Sequence, residues 1–316
     1  MRIAVTGSVA TDHLMTFPGR MTDQLLADHL DHVSLSFLAD TLEIRNGGPA
    51  TNIAYGLARL KHRPLLVGAV GTDFRPHGEQ LSKLGVDVSG LQESTSRPTA
   101  RILRTVDAHG NQLMSFYPGA ETEAAAIDLV DVVRRHGGIG LVLIGADEPA
   151  AMLRHSRACR SLGIRFLAAP SHRLDRLDGA GVRELVEDAD HLFTSEPERE
   201  LLIAKAGWTP AQVLCKVGTW VTTLGEEGCR IDRADKPSAE VPAIPLTTVA
   251  DSSGFADAFR AGYLAALARN IDPVRCAETG EALAALAVSK VGAQSYEIPR
   301  EIPTVLAEAM GLEQSA

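Results

Sequence analysis

The sequence predicts an α/β fold: a doubly wound, mostly parallel sheet flanked by helices, with a small β-sheet lid. Three observations predict it. Apolar runs at 65–71, 140–145, 164–169, 191–194 and 221–225 alternate with segments of helical periodicity, the pattern of a parallel sheet wound through helices. Two other stretches, 33–37 and 100–117, alternate apolar and polar residues with period two, as half-exposed strands do. No internal repeat or low-complexity linker breaks the chain, so 1–316 reads as one domain with lid strands inserted at about 12–46 and 98–118.

Bulk properties exclude several classes of function. The 31 Lys and Arg against 40 Asp and Glu leave a formal charge of −9, and no basic, aromatic-interleaved stripe appears, so no nucleic-acid partner is expected. No apolar run is long enough to cross a bilayer, and residues 2–7 read as a strand rather than a signal peptide. Cys159, Cys215, Cys229 and Cys276 lack metal or disulfide spacing and fit a reduced, cytoplasmic setting without a membrane partner.

In chain order, the first strand (RIAVTG) ends at Ser8, and open parallel sheets bind ligands beyond the carboxyl ends of their strands. Ser8 and Asp12 therefore stand at a candidate site, although Asp12 also suits a turn. Val33, Leu35 and Phe37 alternate with Ser34 and Ser36, which as a strand would make the serines sheet-face residues. Gly47-Gly48-Pro49 breaks the chain before a helix over Ala50–Leu60. Paired glycines there permit close approach of a ligand, and Asn52 can donate to and accept from a hydroxylated one; a plain turn explains the glycines equally. His109-Gly110-Asn111 is a hairpin turn, and Phe116 beyond it is either lid core or a stacking platform for a flat ligand.

The remaining helices fall at Ala150–Leu162, Val182–Asp188, Glu198–Ala206, Asp257–Arg269, Pro273–Lys290 and Ile302–Met310. Ser195 and Glu198 cap one of them, and Glu198 could also help to hold a hydrated Mg²⁺. Thr223, Gly225 and Gly228 end a strand either against a nucleotide or in a hairpin. The stretch 247–264 (TTVADSSGFADAFRAGYL) is a loop that becomes a helix. Its start leaves backbone N–H groups free to hold phosphate oxygens, and Asp257 in the first turn sets a carboxylate beside them. A carboxylate next to an anion hole is the apparatus of phosphoryl transfer to an alcohol; ordinary first-turn capping is the plainer alternative.

Four pieces in this order resemble the ribokinase-like (PfkB) family of sugar and nucleoside kinases: the first strand with Ser8 and Asp12, GGPATNIA at 47–54, TTLGEEG at 222–228 and DSSGFADAFRAG at 251–262. Within it the resemblance is strongest to adenosine kinases of the mycobacterial type, through HVSLSFL at 32–38, SFYPGA at 115–120 and AFRAG at 258–262. The resemblance implies an ATP- and Mg²⁺-dependent kinase acting on the 5′-hydroxyl of an adenosine-like ribonucleoside. Asp257 would be the general base and Gly254, Phe255 and Ala256 the anion hole. Ser8, Asp12, Ser36, Gly48 and Asn52 would hold the ribose, with Phe116, Ile102, His172 and Arg173 around the base. Ser195, Glu198, Thr223, Gly225 and Gly228 would face ATP, Glu198 reaching Mg²⁺ through water. Asp251, Gly292 and Ser295 would border a K⁺ loop, and the lid would join a homodimer. Departures from the family pattern are Ala256 for a glycine, Ser195 for an asparagine, and Ile102 and His172-Arg173 for an aromatic and paired glutamines. They leave two alternatives, a sugar kinase of the same fold and a catalytically weakened nucleoside-binding homologue.

Overall fold

Alternation of apolar and glycine-rich strands with helices dictates the layout of the chain, and the computed structural model describes residues 1–24, 35–246 and 249–312. The strands are β1 (Arg2–Thr6), β2 (Ala10–Phe17), β3 (Thr41–Gly47), β4 (Leu65–Gly71), β5 (Asp87–Ser94), β6 (Ala100–Asp107), β7 (Gln112–Tyr117), β8 (Ile139–Gly145), β9 (Arg165–Ala169), β10 (His191–Ser195), β11 (Thr219–Thr223), β12 (Cys229–Arg233) and β13 (Lys236–Val241). The helices are α1 (Pro49–Arg59), α2 (Arg75–Leu84), α3 (Leu129–His136), α4 (Pro149–Leu162), α5 (Gly179–Val186), α6 (Glu196–Ala206), α7 (Pro210–Leu214), α8 (Phe255–Leu267), α9 (Pro273–Val288) and α10 (Thr304–Met310).

Nine strands form the main sheet in the order β13-β12-β11-β10-β9-β8-β1-β4-β5, parallel except at β12 and β13. Helices cover both faces. Ile3 and Val5 point into a core shared with α1, α8, α9 and α10, while Ala4 points to the opposite face, where α3 to α6 pack. Burial on both sides is why the central strands are continuously apolar. Among the described residues no helix is long and apolar enough to cross a membrane. Cys159, Cys229 and Cys276 are buried and unpaired, and Cys215 is exposed.

The second sheet has the order β3-β2-β6-β7 and is the lid. Its register aligns Arg45, Asp12, Ile102 and Phe116 across all four strands, hence on one face. The next row, Ile44, His13, Leu103 and Ser115, lies on the other face. The β6–β7 hairpin is tied by Asp107, which accepts from the backbone N–H groups of Met21, His109 and Asn111 at 2.9 Å each.

One sequence expectation is corrected. The period-two stretch 33–37 is not a lid strand over its described part: residues 35–39 are irregular, and the strand starts at Thr41. Val33 and Ser34 lie outside the described residues. In place of a ladder, Phe37 packs on Phe17 of β2, with ring centroids 5.0 Å apart.

Candidate active site

Gly254 forms the entrance to α8. Its φ of 79° is left-handed, and a Cβ there would stand 2.4 Å from the Ala293 Cβ, so only glycine fits without movement. No side chain caps this helix, and the N–H groups of Ala256 and Asp257 have no acceptor among the described residues. The positive end of the helix dipole is thus open to an anion. Ala256 lies within the helix and is absent from the positive-φ residues, so its methyl group adds no backbone strain.

Asp257 is 8% exposed. Asn52 Nδ2 on α1 donates to its Oδ2 at 2.9 Å, and Arg260 Nη1, one turn along α8, lies 3.3 Å from Oδ1. Burial raises the Asp257 carboxyl above the ordinary range, with Arg260 and Asn52 pulling the other way. Arg260 also donates from Nη2 to Ser171 Oγ at 2.9 Å, tying the base to the loop after β9. Behind Asn52, its Oδ1 accepts from Gln294 Nε2 at 2.9 Å, and Gln294 Oε1 bonds His77 Nε2 at 2.9 Å.

The loop before α8 borders two spaces. One is a narrow cleft beneath the lid, lined by Asp12, Arg45, Arg104, Asp251 and Ser253. Asp12 Oδ1 is buried without a partner among the described residues, and burial raises its pKa. Gly48 brings the chain against the end of β1: its φ is 94°, and a Cβ would stand 2.6 Å from the Ala10 nitrogen. The other space is a cavity of about 820 Å³ lined by Gly225, Glu226, Ile244, Leu246, Val249, Gly254 to Asp257 and Glu281.

A third cluster stands at the ends of β1 and β8. Ser8 Oγ donates to Glu121 Oε2 at 2.5 Å, and the buried Arg173 pairs with the other oxygen of Glu121. Arg173 Cζ lies 4.7 Å from the centroid of the Phe116 ring, which joins this cluster to the lid. Burial, reinforced by Glu121, holds the nearby Asp147 carboxyl well above its ordinary range.

The structure therefore brings together Ser8, Asp12, Gly48, Asn52, Gly254, Phe255, Ala256 and Asp257, and lines up Ile102, Phe116 and Arg173 along the lid. His172 is exposed beside Arg173, and Ser36 is exposed with no hydrogen bond among the described residues. Of the residues expected to face ATP, Gly225 lines the cavity. Thr223 pairs with Ser195 across β11 and β10, and Gly228 sits in the β11–β12 turn, where its carbonyl accepts from Leu224 N at 2.7 Å. Ser195 and Glu198 form a reciprocal capping box on α6. Asp251, Gly292 and Ser295 do meet, but Asp251 accepts from Ser253 N, Gly292 N and Arg45 Nη1, whose guanidinium already balances its charge. That donor set fits a cation loop poorly.

Sequence reasoning missed Arg260, Gln294, Glu121, Asp147 and Glu281. Arg260 stood in the motif at 251–262 and Gln294 in AVSKVGAQS at 287–295, which also resembles the family; the other three carry no local signal, because only the fold brings them to the site.

An open helix start beside a buried carboxylate, with a large cavity against it and a lid nearby, is an arrangement suited to a phosphotransferase. The chain belongs to the pfkB family of carbohydrate kinases, whose model matches residues 6–300. It is 30% identical over 263 residues to a nucleoside kinase of Methanothermobacter thermautotrophicus, covering 79% of this chain and 80% of that one. A nucleoside kinase of Methanocaldococcus jannaschii is 26% identical over 252 residues, 79% of this chain and 81% of the relative. Among solved structures, the nucleoside kinase of Burkholderia thailandensis in complex with inosine superposes with a TM-score of 0.84 at 28% identity, covering 98% of each chain. A Thermotoga maritima ribokinase, at 19% identity and a TM-score of 0.78 over 98% of this chain and 99% of that one, shares the fold.

Proposed function

We infer that this kinase transfers the γ-phosphoryl group of ATP to the 5′-hydroxyl of a ribonucleoside, with Asp257 as general base. One observation carries the reading: Asp257 is buried at an open helix N-terminus that lines the cavity, and the loop leading into that helix borders the cleft under the lid. An alcohol held in the cleft and a triphosphate in the cavity would meet there.

In this reading Asp12 and Asn52 hold the ribose hydroxyls, and the unpartnered oxygen of Asp12 gains a donor. Phe116 and Ile102, neighbours on the inner face of the lid, cover the base. Ser8 and Arg173 are set by Glu121, and His172 stands at the rim. The free N–H groups of Ala256 and Asp257 stabilise charge on the moving phosphoryl group, and Asp257 takes the hydroxyl proton. Mg²⁺ neutralises the donor phosphates when bound. Glu198 commits one oxygen to its capping box and keeps the other for a water of that ion. The substrate default is adenosine-like, as the resemblance to mycobacterial adenosine kinases implies. A 6-oxopurine nucleoside is an equal candidate, given the relative solved with inosine.

The lid also supplies a surface for a homodimer. Leu42, Ile44, Leu103 and Leu113 lie exposed on its outer face, away from Asp12 and Phe116.

Asp257→Asn tests the assignment. Transfer should fall by roughly 10²- to 10⁴-fold, while calorimetry shows nucleoside binding within a few-fold of the unsubstituted protein. Activity within tenfold of the unsubstituted protein would remove Asp257 as the base. Free ribose outcompeting nucleosides in the same assay would instead favour a sugar kinase.

A further inference from the structure

The cavity beside Asp257 contains one buried acid that phosphoryl transfer leaves unused. Glu281 on α9 is 2% exposed and lines the cavity, and its Oε1 has no hydrogen-bond partner among the described residues. Among the described residues no Lys or Arg pairs with it, so it is not half of an ion pair there. Its neighbours along the cavity wall include Ile244, Leu246, Val249, Ala285 and Val288. A carboxyl group held in an apolar wall with an unmade bond has the character of a ligand contact, because leaving such a group unsatisfied is costly.

We propose that Glu281 reads the hydrogen-bonding edge of the phosphate donor's base, so that this one carboxyl group sets the choice between a 6-aminopurine and a 6-oxopurine triphosphate. The inference rests on the reading of the cavity as the donor site. A flat, largely apolar base suits the wall, and the carboxyl group is placed to read its polar edge.

The choice follows from the inventory of donors and acceptors. A neutral carboxyl group offers one O–H donor and one acceptor, which match N1 and the N6 amino group of a 6-aminopurine. The ionised group only accepts. It then opposes the N1 lone pair of a 6-aminopurine but fits the N1–H and N2 amino donors of guanine. Burial pushes the Glu281 carboxyl up to about 7, so both forms are present near neutral pH.

Other charged and titratable groups surround Glu281 on β12, β13, α8 and α9. Cys229 on β12 is a thiol pushed up to about 12. Arg230, Asp232 and Arg233 on the same strand are engaged in ion pairs of their own, and Lys236 and Glu240 on β13 are exposed. Across the cavity stand Asp257 on α8 and Glu226 at the mouth. On α9 itself, Arg275 and Glu278 pair with each other.

The test compares initial rates with ATP and with GTP from pH 6 to 8.5 at saturating inosine, for the unsubstituted protein and Glu281→Gln. The two donors carry the same phosphates, so their ratio cancels titration of phosphate and of Asp257. The ratio of kcat/KM for ATP to that for GTP should fall roughly three- to tenfold as pH rises through 7. Glu281→Gln, which donates and accepts at every pH, should give a ratio that does not change with pH. Calorimetry with the imido analogues of both triphosphates should show the same pattern in affinity without any transfer. A pH-independent ratio in the unsubstituted protein, or a Gln variant that keeps its pH dependence, overturns the role of Glu281 and leaves the kinase reading standing. Failure of the unsubstituted protein to bind either analogue overturns both.

Discussion

Replacing Arg260 with Gln probes how the candidate base is held. The guanidinium lies 3.3 Å from Asp257 Oδ1, with both side chains almost wholly buried, at 9% and 12% exposure. At that separation the attraction is on the order of 5 kcal/mol for an effective dielectric constant of about 20, before desolvation is counted. It favours the carboxylate over the acid and so opposes the upward push of burial. A general base works only when deprotonated. Without Arg260 the proton is held to higher pH, so the acid limb of the kcat/KM profile should move up. Activity should then drop much more at pH 6 than at pH 8. Gln can still bond Ser171 or Asp257, but the lost charge should lower stability by about 2–4 kcal/mol, read from denaturant unfolding. The assay is kcat/KM for the nucleoside from pH 5 to 9 at saturating ATP. An acid limb that stays in place refutes the reasoning. A uniform loss at all pH values would mean that Arg260 acts on the phosphoryl group instead of on the base.

Three further outcomes are expected. Ala256→Gly should change kcat by less than about twofold and cost up to about 1 kcal/mol of stability, since the position is already helical; a large gain in kcat would show that the methyl group obstructs the anion hole. Burial opposes ionisation of Asp107, but four hydrogen bonds outweigh it and hold its carboxyl far below the ordinary range. The stability this contributes is present above the unfolded-state pKa and lost as pH falls toward the depressed one, so amide exchange in the 108–112 hairpin should quicken in acid, and unchanged protection would contradict this. If the outer face of the lid forms the proposed homodimer, the unsubstituted protein should sediment as a dimer and Leu103→Glu as a monomer with nucleoside binding retained; a monomeric unsubstituted protein or an unaltered dimer removes the lid interface.

The main sheet was legible because its strands are buried on both faces, and their apolar runs show it. Its edge was not. β5 reads DVSGLQES, whose apolar content is low because an edge strand packs only in part, and α2 begins with Arg-Pro-His-Gly. The lid was legible in β6 and β7 through the turn at His109-Gly110-Asn111. It was misread at 35–37, where the chain is irregular and Phe37 packs on Phe17 instead of pairing in a strand. In the site, the helix start with Gly254 and Asp257 stood out because cap chemistry is local. Glu121 and Glu281 did not, because nothing near them in sequence says that they point at a site. The Ser195–Glu198 pair shows the opposite hazard, a motif whose plain capping geometry accounts for most of its bonds.

The hydrogen bonds behind Asp257 explain why four separate segments must fold before this site exists. Asn52 on α1 can present its N–H to the carboxylate only if its carbonyl faces a donor. Gln294, after α9, supplies that donor, and its own carbonyl then faces His77 on α2. Flipping any one amide would set oxygen against oxygen or N–H against N–H along the row, so each orientation fixes the next. The row ends at His77, which must carry its proton on Nε2 to donate to Gln294. Burial lowers its pKa and favours that neutral form. Asp257 is therefore aimed by residues from α1, α2 and the segment after α9, held on its other oxygen by Arg260, and left with lone pairs for one more donor. A substrate hydroxyl is a donor of that kind.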